Sequence, residues 1–333
     1  MNRFLRWLLI KLLLVNINTN LASKSLKEDA TLVTGWGFLI GASIGDIARV
    51  WGDKKTYGSV LNRKASLQEL FVTVASSFRI PWSKKREIKN GFLLIARHGP
   101  TREEPNYAHW LLENLPVIRQ FFELPQYTYL IIRKDSPKWI YESLIAVGVS
   151  PDQIIEAGGG LKVDHLYLPQ VHFFNSRSVD HSNGDRAWLR ERLRAWVRVN
   201  VKSIPRPEKI YVSRQSARRR RIVNFVSIHK VLSRFGFSIW EPETSDFEDQ
   251  SALFFCAKVI LAQPGAAMAN LIFSSQGIRV FEIEGFENVS CWKILCDELN
   301  IEYVGLGCSF QSGLHSDVFI EVDVLTNKLG GIN

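Results

Sequence analysis

The residues best suited to chemistry in this chain are arginines beside a strand end. Ser213-Arg214 closes a short apolar run, and Arg218-Arg219-Arg220-Arg221 follow within one loop. A guanidinium presents a planar fork of donors that fits phosphate oxygens two at a time. Several in one place suit a diphosphate, which carries about two to three negative charges. A solvated basic loop or a nucleic-acid patch would use the same residue type. Nucleic-acid patches interleave aromatic residues or Gly for base stacking. This loop does not, so nucleic acid is not an expected partner.

The second candidate is Gln263-Pro264-Gly265-Ala266-Ala267-Met268-Ala269-Asn270, which follows the apolar run Val259–Ala262 and opens a helix. Small side chains let a ligand approach the backbone, and the free amides and positive dipole end of a helix start suit a phosphate. Plain packing would give the same string. Glu282 ends the next run, Val280-Phe281-Glu282-Ile283. A carboxylate there could hold ribose or sugar hydroxyls, or pair with a neighbouring arginine.

The third candidate is Asn106-Tyr107-Ala108-His109-Trp110-Leu111-Leu112-Glu113. His109 and Glu113 stand four apart and share one helical face, with Asn106 at a capping position. A His with a carboxylate partner can act as a general base and its orienting group. A single His on a helix also serves simply structural ends. No Asp-x-Asp string occurs in the chain. A metal-independent site is therefore expected, with arginines in the role a divalent cation plays elsewhere.

Strands and helices must position these groups. From Gly91 onward short apolar runs alternate with helical spacing: strands at 92–96, 127–132 and 165–168, helices at 109–122 and 137–147. Ser136 is the expected N-cap of the latter helix, with Pro137 at its first position. A helix is expected at 186–201, then a linker at Ser203–Glu208 containing Pro205 and Pro207. A second series runs from Ile210 to Gly305, with Ile228, Val231, Leu232 and Phe235 at i, i+3, i+4, i+7. The expected class is α/β, with two Rossmann-like domains facing each other across a cleft at their strand ends. The expected domains are 91–202 and 203–305, with 1–90 joining the first and 306–333 returning to it. Before residue 90 only short strands and tight turns are legible, with Lys84-Lys85-Arg86 as a loop.

Composition sets the bounds. With 333 residues, 46% hydrophobic and 23% charged, the chain is ordinary globular material. At roughly 150 residues per domain, two cores are expected. The net charge of +9 fits a phosphate-bearing partner or an anionic surface. The four cysteines show no metal-ligand spacing, so reduced thiols and an intracellular setting are expected, with Cys256 buried in an apolar run. The apolar stretch 4–15 is interrupted by Arg6 and Lys11 and is shorter than the roughly 20 residues a membrane span needs. It reads as a core or docking helix, or as peripheral membrane contact through residues 3–17 at the cytoplasmic face.

Three blocks together resemble glycosyltransferase family 61. Asn106-Tyr107-x-His109-Trp110-Leu111-Leu112-Glu113-x-Leu115-Pro116 is similar to its N-Y-x-H-W-L-x-[DE]-x-L-P signature. Tyr211-Val212-Ser213-Arg214 with Arg220-Arg221-Ile222-Val223-Asn224 is similar to its Y-x-S-R … R-R-x-x-N block. Gly265-Ala266-Ala267-Met268-Ala269-Asn270-Leu271-Ile272-Phe273 with Val280-Phe281-Glu282-Ile283 is similar to its glycine-helix block. Two positions depart: Pro264 stands where the family has His, and Phe225 where an acidic residue follows the Asn. The resemblance implies a GT-B architecture and inverting transfer from a nucleoside-diphosphate sugar without a cofactor. The implied acceptor is a hydroxyl of a glycan, glycolipid or glycoprotein. His109 and Glu113 are the expected catalytic residues. Asn106, Arg214, Arg220, Arg221, Asn224, Gly265, Ala266, Asn270 and Glu282 are the expected donor-binding residues. An inactive sugar-nucleotide- or glycan-binding protein of the same fold is the alternative, and a nucleic-acid-binding protein using the basic loop is a less favoured one.

Overall fold

The computed structural model describes residues 23–25, 30–41, 48–52, 55–57, 86–94, 105–133, 136–157, 160–169, 183–200, 206–284, 290–307, 309–310 and 317–331. Residues 3–17, and with them the expected N-terminal helix, lie outside these. The chain forms two compact units, Met1–Phe173 and Phe174–Asn333. Among the described residues no helix is long and apolar enough to cross a membrane.

The first unit is a mixed sheet. Its strands are β1 (Ser23–Ser25), β2 (Ala30–Gly41), β3 (Ala48–Gly52), β4 (Lys55–Tyr57), β5 (Arg86–Leu93), β6 (Thr128–Arg133), β7 (Ile154–Ala157) and β8 (Gly160–Pro169). They lie in the order β4-β3-β2-β8-β5-β6-β7, with β1 on β2. β8, β5, β6 and β7 run parallel, while β2 joins β8 and β3 antiparallel. The central strands are buried apolar runs, with Phe92, Leu93, Leu130 and Ile131 wholly covered, as a parallel sheet covered on both faces requires. Arg86 opens β5 rather than lying in a loop.

The helix expected over 109–122 is broken. It starts as α1 (Tyr107–His109), continues as a π-helix over Trp110–Asn114, and resumes as α2 (Ile118–Phe121). Pro116 has no N–H to offer the ladder, and Leu115 N–H reaches back five residues to the Trp110 carbonyl at 2.7 Å. The next helix, α3 (Lys138–Ala146), has Pro137 as its N-cap residue and no side-chain cap. Ser136, expected there, instead donates its hydroxyl to the Arg133 carbonyl at 2.6 Å.

The second unit opens with α4 (Asn183–Asn200) and continues through β9 (Lys209–Val212), α5 (Phe225–Arg234), β10 (Ser238–Trp240), α6 (Phe247–Cys256) and β11 (Val259–Ala262). A 3-10 helix over Ala266–Phe273, β12 (Arg279–Glu284), α7 (Cys291–Leu299) and β13 (Glu302–Gly307) follow. The five strands are all parallel, in the order β10-β9-β11-β12-β13. From β9 the chain steps outward to β10, then crosses back to β11. The strand order therefore reverses between β9 and β11, and ligands of open α/β sheets bind outside the carboxyl ends at such a point.

α5 buries Ile228, Val231 and Leu232 at the expected spacing. The end of the chain, expected to return to the first domain, packs here instead. β14 (Ser309–Phe310) pairs with β15 (Val318–Phe319), and Leu325 and Leu329 of α8 (Val322–Gly330) share a core with Ile228, Leu232 and Val318. α4 also belongs to this unit. It buries Leu189, Leu193 and Val197, Arg190 donates to the Ser274 carbonyl at 2.7 Å, and Arg186 grips Glu298 of α7 at 2.8 Å. Cys256, expected in the core, is exposed: it closes α6, whose buried residues are Phe247 and Ser251–Phe254.

Candidate active site

The reversal between β9 and β11 brings the arginine loop onto the glycine turn. β9 runs directly into Ser213-Arg214, and β11 into Gln263-Pro264-Gly265. The Arg214 guanidinium lies against Gly265, so that a β-carbon there would collide with Nη1. The Gly265 backbone is extended, with φ −174°, so space rather than conformation demands glycine. Arg214 Nη2 donates weakly to the Arg219 carbonyl at 3.4 Å. Its Nε is buried and has no acceptor among the described residues. Burial, and then the charge of Arg220, push the Arg214 guanidinium below its ordinary value, while Glu243 acts the other way. Two like charges are thus held together over the start of a helix, and an anion there would relieve both.

Arg220 completes the cluster. Its Nη1 donates to the Pro264 carbonyl at 2.8 Å. Burial lowers its guanidinium and the charge of Glu282 opposes that. Arg221 is turned elsewhere. It forms an ion pair with Asp317 at 2.8 Å, on the segment that leads into β15. Of the two expected partners for Arg214, the geometry gathers Arg220 and leaves Arg221 as a tie to the C-terminal strand.

The remaining expected donor residues divide in the same way. Ala266 is half-buried at the first position of the 3-10 helix, beside the arginines. Asn270 is fully buried and donates to Gln250 Oε1 at 3.0 Å. Asn224 stands at the α5 N-cap position, but its side chain bonds the Ile320 carbonyl at 2.8 Å and the Ile320 amide at 3.2 Å. Glu282 is fully buried, accepting from the Ser290 hydroxyl at 2.9 Å and the Tyr303 hydroxyl at 2.8 Å. All three have partners within the unit, and Asn270 and Glu282 are wholly covered. Phe225, in place of the family's acid, packs against Tyr211. One residue of the glycine block had no role of its own in the sequence and has a clear place here: Gln263, buried between Tyr211 and Arg220. Only its position beside the glycine turn pointed to it.

The first unit holds the His and Glu. Asn106 caps α1, accepting from the His109 amide at 3.1 Å. His109 Nδ1 lies 2.8 Å from Glu113 Oε1. The Glu113 side chain is 0% exposed and that of His109 31%. A carboxylate accepts, so Nδ1 is placed to donate, and in the neutral imidazole of that tautomer Nε2 carries the lone pair. The backbone beneath is pinned: Trp110 Nε1 donates to Ser143 Oγ at 2.8 Å, and Trp139 packs edge-on against both Tyr107 and Trp110. The π-turn at Trp110–Asn114 still leaves Glu113 facing His109. Such bulges recur at functional sites.

Comparison with known proteins bears on both halves. No curated protein matches the chain. Among solved structures, a crystal structure of the dodecameric iron-containing heptosyltransferase TibC in complex with ADP-D-beta-D-heptose aligns at 11% identity over 80% of each chain. Its TM-score is 0.31, too low for the likeness to bear on the fold. The model of the family Glycosyltransferase 61 matches residues 107–281, from the start of α1 into β12. That span holds His109, Glu113, Arg214, Arg220 and Gly265 and more than half of the chain, and the chain is a member of glycosyltransferase family 61.

Proposed function

We propose that this glycosyltransferase moves a sugar from a nucleoside-diphosphate sugar to a hydroxyl of a glycan, glycolipid or glycoprotein, with inversion at the anomeric carbon and without a metal ion. The reading takes the two units as a GT-B pair, the second for the donor and the first for proton transfer. One observation carries it most: Arg214 and Arg220 converge on the Gly265 turn at the strand-order reversal. There they hold the diphosphate and stabilise the charge that grows on it as the bond to the sugar breaks. His109 Nε2 takes the proton of the acceptor hydroxyl as the new glycosidic bond forms, and Glu113 steadies the imidazolium that results.

Calorimetry with a panel of UDP-, GDP-, CDP- and ADP-sugars, with and without chelator, tests this reading. Binding that chelator does not change, lost in Arg214→Ala, is the expected result. Donor affinity unchanged in Arg214→Ala sinks the clamp. A second reading, a donor-binding protein without turnover, is favoured by Pro264, which offers neither an N–H nor a polar side chain beside the helix start. Tight donor binding with no transfer to any acceptor would favour it.

A further inference from the structure

Gln263 has no expected part in the chemistry, yet the arginine loop is built on it. It is buried, at 1% exposure. Its Oε1 accepts from the Tyr211 hydroxyl at 2.8 Å, and its Nε2 donates to the Arg220 carbonyl at 2.9 Å. Tyr211 is wholly buried and burial raises its phenol well above the ordinary value, so it stays a donor. That donor fixes which way the amide points. The next residue, Pro264, accepts from Arg220 Nη1 at 2.8 Å. Residues 263 and 264 therefore hold Arg220 at its backbone and at its side chain. Arg220 needs the hold: its φ is 61°, the left-handed region that L side chains rarely adopt. Such a conformation persists when its surroundings over-determine it.

We propose that Gln263 is a positioning residue for the donor diphosphate, fixing Arg220 in its left-handed backbone so that the guanidinium stays beside Arg214 and Gly265. This rests on the reading that Arg214 and Arg220 bind the diphosphate. Both polar ends of Gln263 are already engaged within the chain, so it acts through Arg220 and not on the ligand.

The test is calorimetric titration of inorganic pyrophosphate into the full chain as wild type, Gln263→Met, Arg220→Ala, the double variant and Arg214→Ala. Gln263→Met keeps length and loses both hydrogen bonds. It is expected to weaken binding roughly ten-fold, the effect of about one buried polar group losing its partner. The double variant is expected to bind no more weakly than Arg220→Ala alone, because one residue works through the other. A purely structural role for Gln263 would give additive losses, and additivity overturns the proposal. Loss in Arg214→Ala with none in Gln263→Met overturns this proposal alone. Full retention in Arg214→Ala overturns the diphosphate reading and this inference with it. If Gln263→Met does not fold, Tyr211→Phe replaces it: a smaller loss, again absent in the Arg220→Ala background, is expected, and an additive loss or none overturns the proposal.

Discussion

The Arg214 guanidinium occupies the space that a β-carbon on Gly265 would need. The conflict involves only the far end of a flexible side chain, and Gly265 already has an extended backbone that alanine adopts freely. Gly265→Ala should therefore fold, with stability changed by less than about 1 kcal/mol, roughly 2–4 °C in Tm. Arg214 must swing away, so the KM for the donor should rise on the order of ten-fold with kcat less affected. Arg214→Ala should cost more, about 100-fold in kcat/KM, as loss of a charge-stabilising donor does. Steady-state kinetics with the donor identified by calorimetry checks both. An unchanged KM in Gly265→Ala would show that Arg214 does not meet the donor.

The His109–Glu113 pair gives a different signature. Removing a general base lowers turnover by about 100- to 10,000-fold, and His109→Ala should do so with donor affinity intact. Glu113→Gln keeps the shape but can present its amide N–H to Nδ1, favouring the tautomer whose Nε2 carries the proton. That variant should also lose kcat, by less than His109→Ala, since wild-type Nδ1 is only 2.8 Å from Oε1. Comparing kcat with pyrophosphate affinity in the two variants separates base from binding residue. Equal loss of pyrophosphate affinity in His109→Ala would remove it from proton chemistry.

Legibility followed the physics of each segment. Short, wholly buried strands such as β11, and an amphipathic helix such as α5, carry their pattern in a single window. His109 and Glu113 four apart, and Asn106 as the cap, were readable for the same reason, because helical spacing is local. Long-range pairing was not. The β2–β8 ladder joins residues more than a hundred positions apart, and nothing near Ala30 announces a strand of 12 residues. The roles of Arg220 and Arg221 are equivalent in sequence. They are told apart by one left-handed backbone and by Asp317, 96 residues away. Glu282, Asn224 and Asn270 stand out in the sequence because they are polar at strand ends or helix starts. Their partners, Tyr303, Ile320 and Gln250, appear only in the fold.

Thiol chemistry should report the corrected place of Cys256. It is exposed at the end of α6, whereas Cys296 is fully buried and its thiol is pushed up to about 12, chiefly by burial. Cys291 is pushed up to about 11, again mainly by burial with the Glu282 charge next. A thiol raised this far is almost entirely protonated at pH 8, and the thiolate is the nucleophile. Among the described cysteines, iodoacetamide at pH 8 should label Cys256 before Cys291 and leave Cys296 untouched until the protein unfolds. Peptide mapping by mass spectrometry reads this directly. Early labelling of Cys296 would contradict its packing against α7's neighbours.

The Arg221–Asp317 tie predicts how the C-terminal strand answers acid. The hydrogen bonds and charge of Arg221 hold the Asp317 carboxyl below its ordinary value. A carboxylate lowered on folding contributes its stabilisation above the ordinary range, near pH 4, and loses it as pH falls through the lowered value. The amide of Val318, which donates to the Arg221 carbonyl at 2.8 Å, is the local reporter. Its hydrogen-exchange protection, corrected for intrinsic rates, should be flat from pH 7 to about 5 and fall below about 4. Asp317→Asn should show lower protection at pH 7 and a flatter acid limb, with pyrophosphate affinity unchanged because Arg221 pairs with Asp317 while Arg214 and Arg220 are the arginines at the glycine turn. Arg221→Ala should flatten the acid limb less than Asp317→Asn does, because the backbone amide of residue 221 still donates to Asp317 Oδ1, at 3.0 Å in the wild type. An acid limb that persists unaltered in both variants would assign the strand's pH response to other carboxylates.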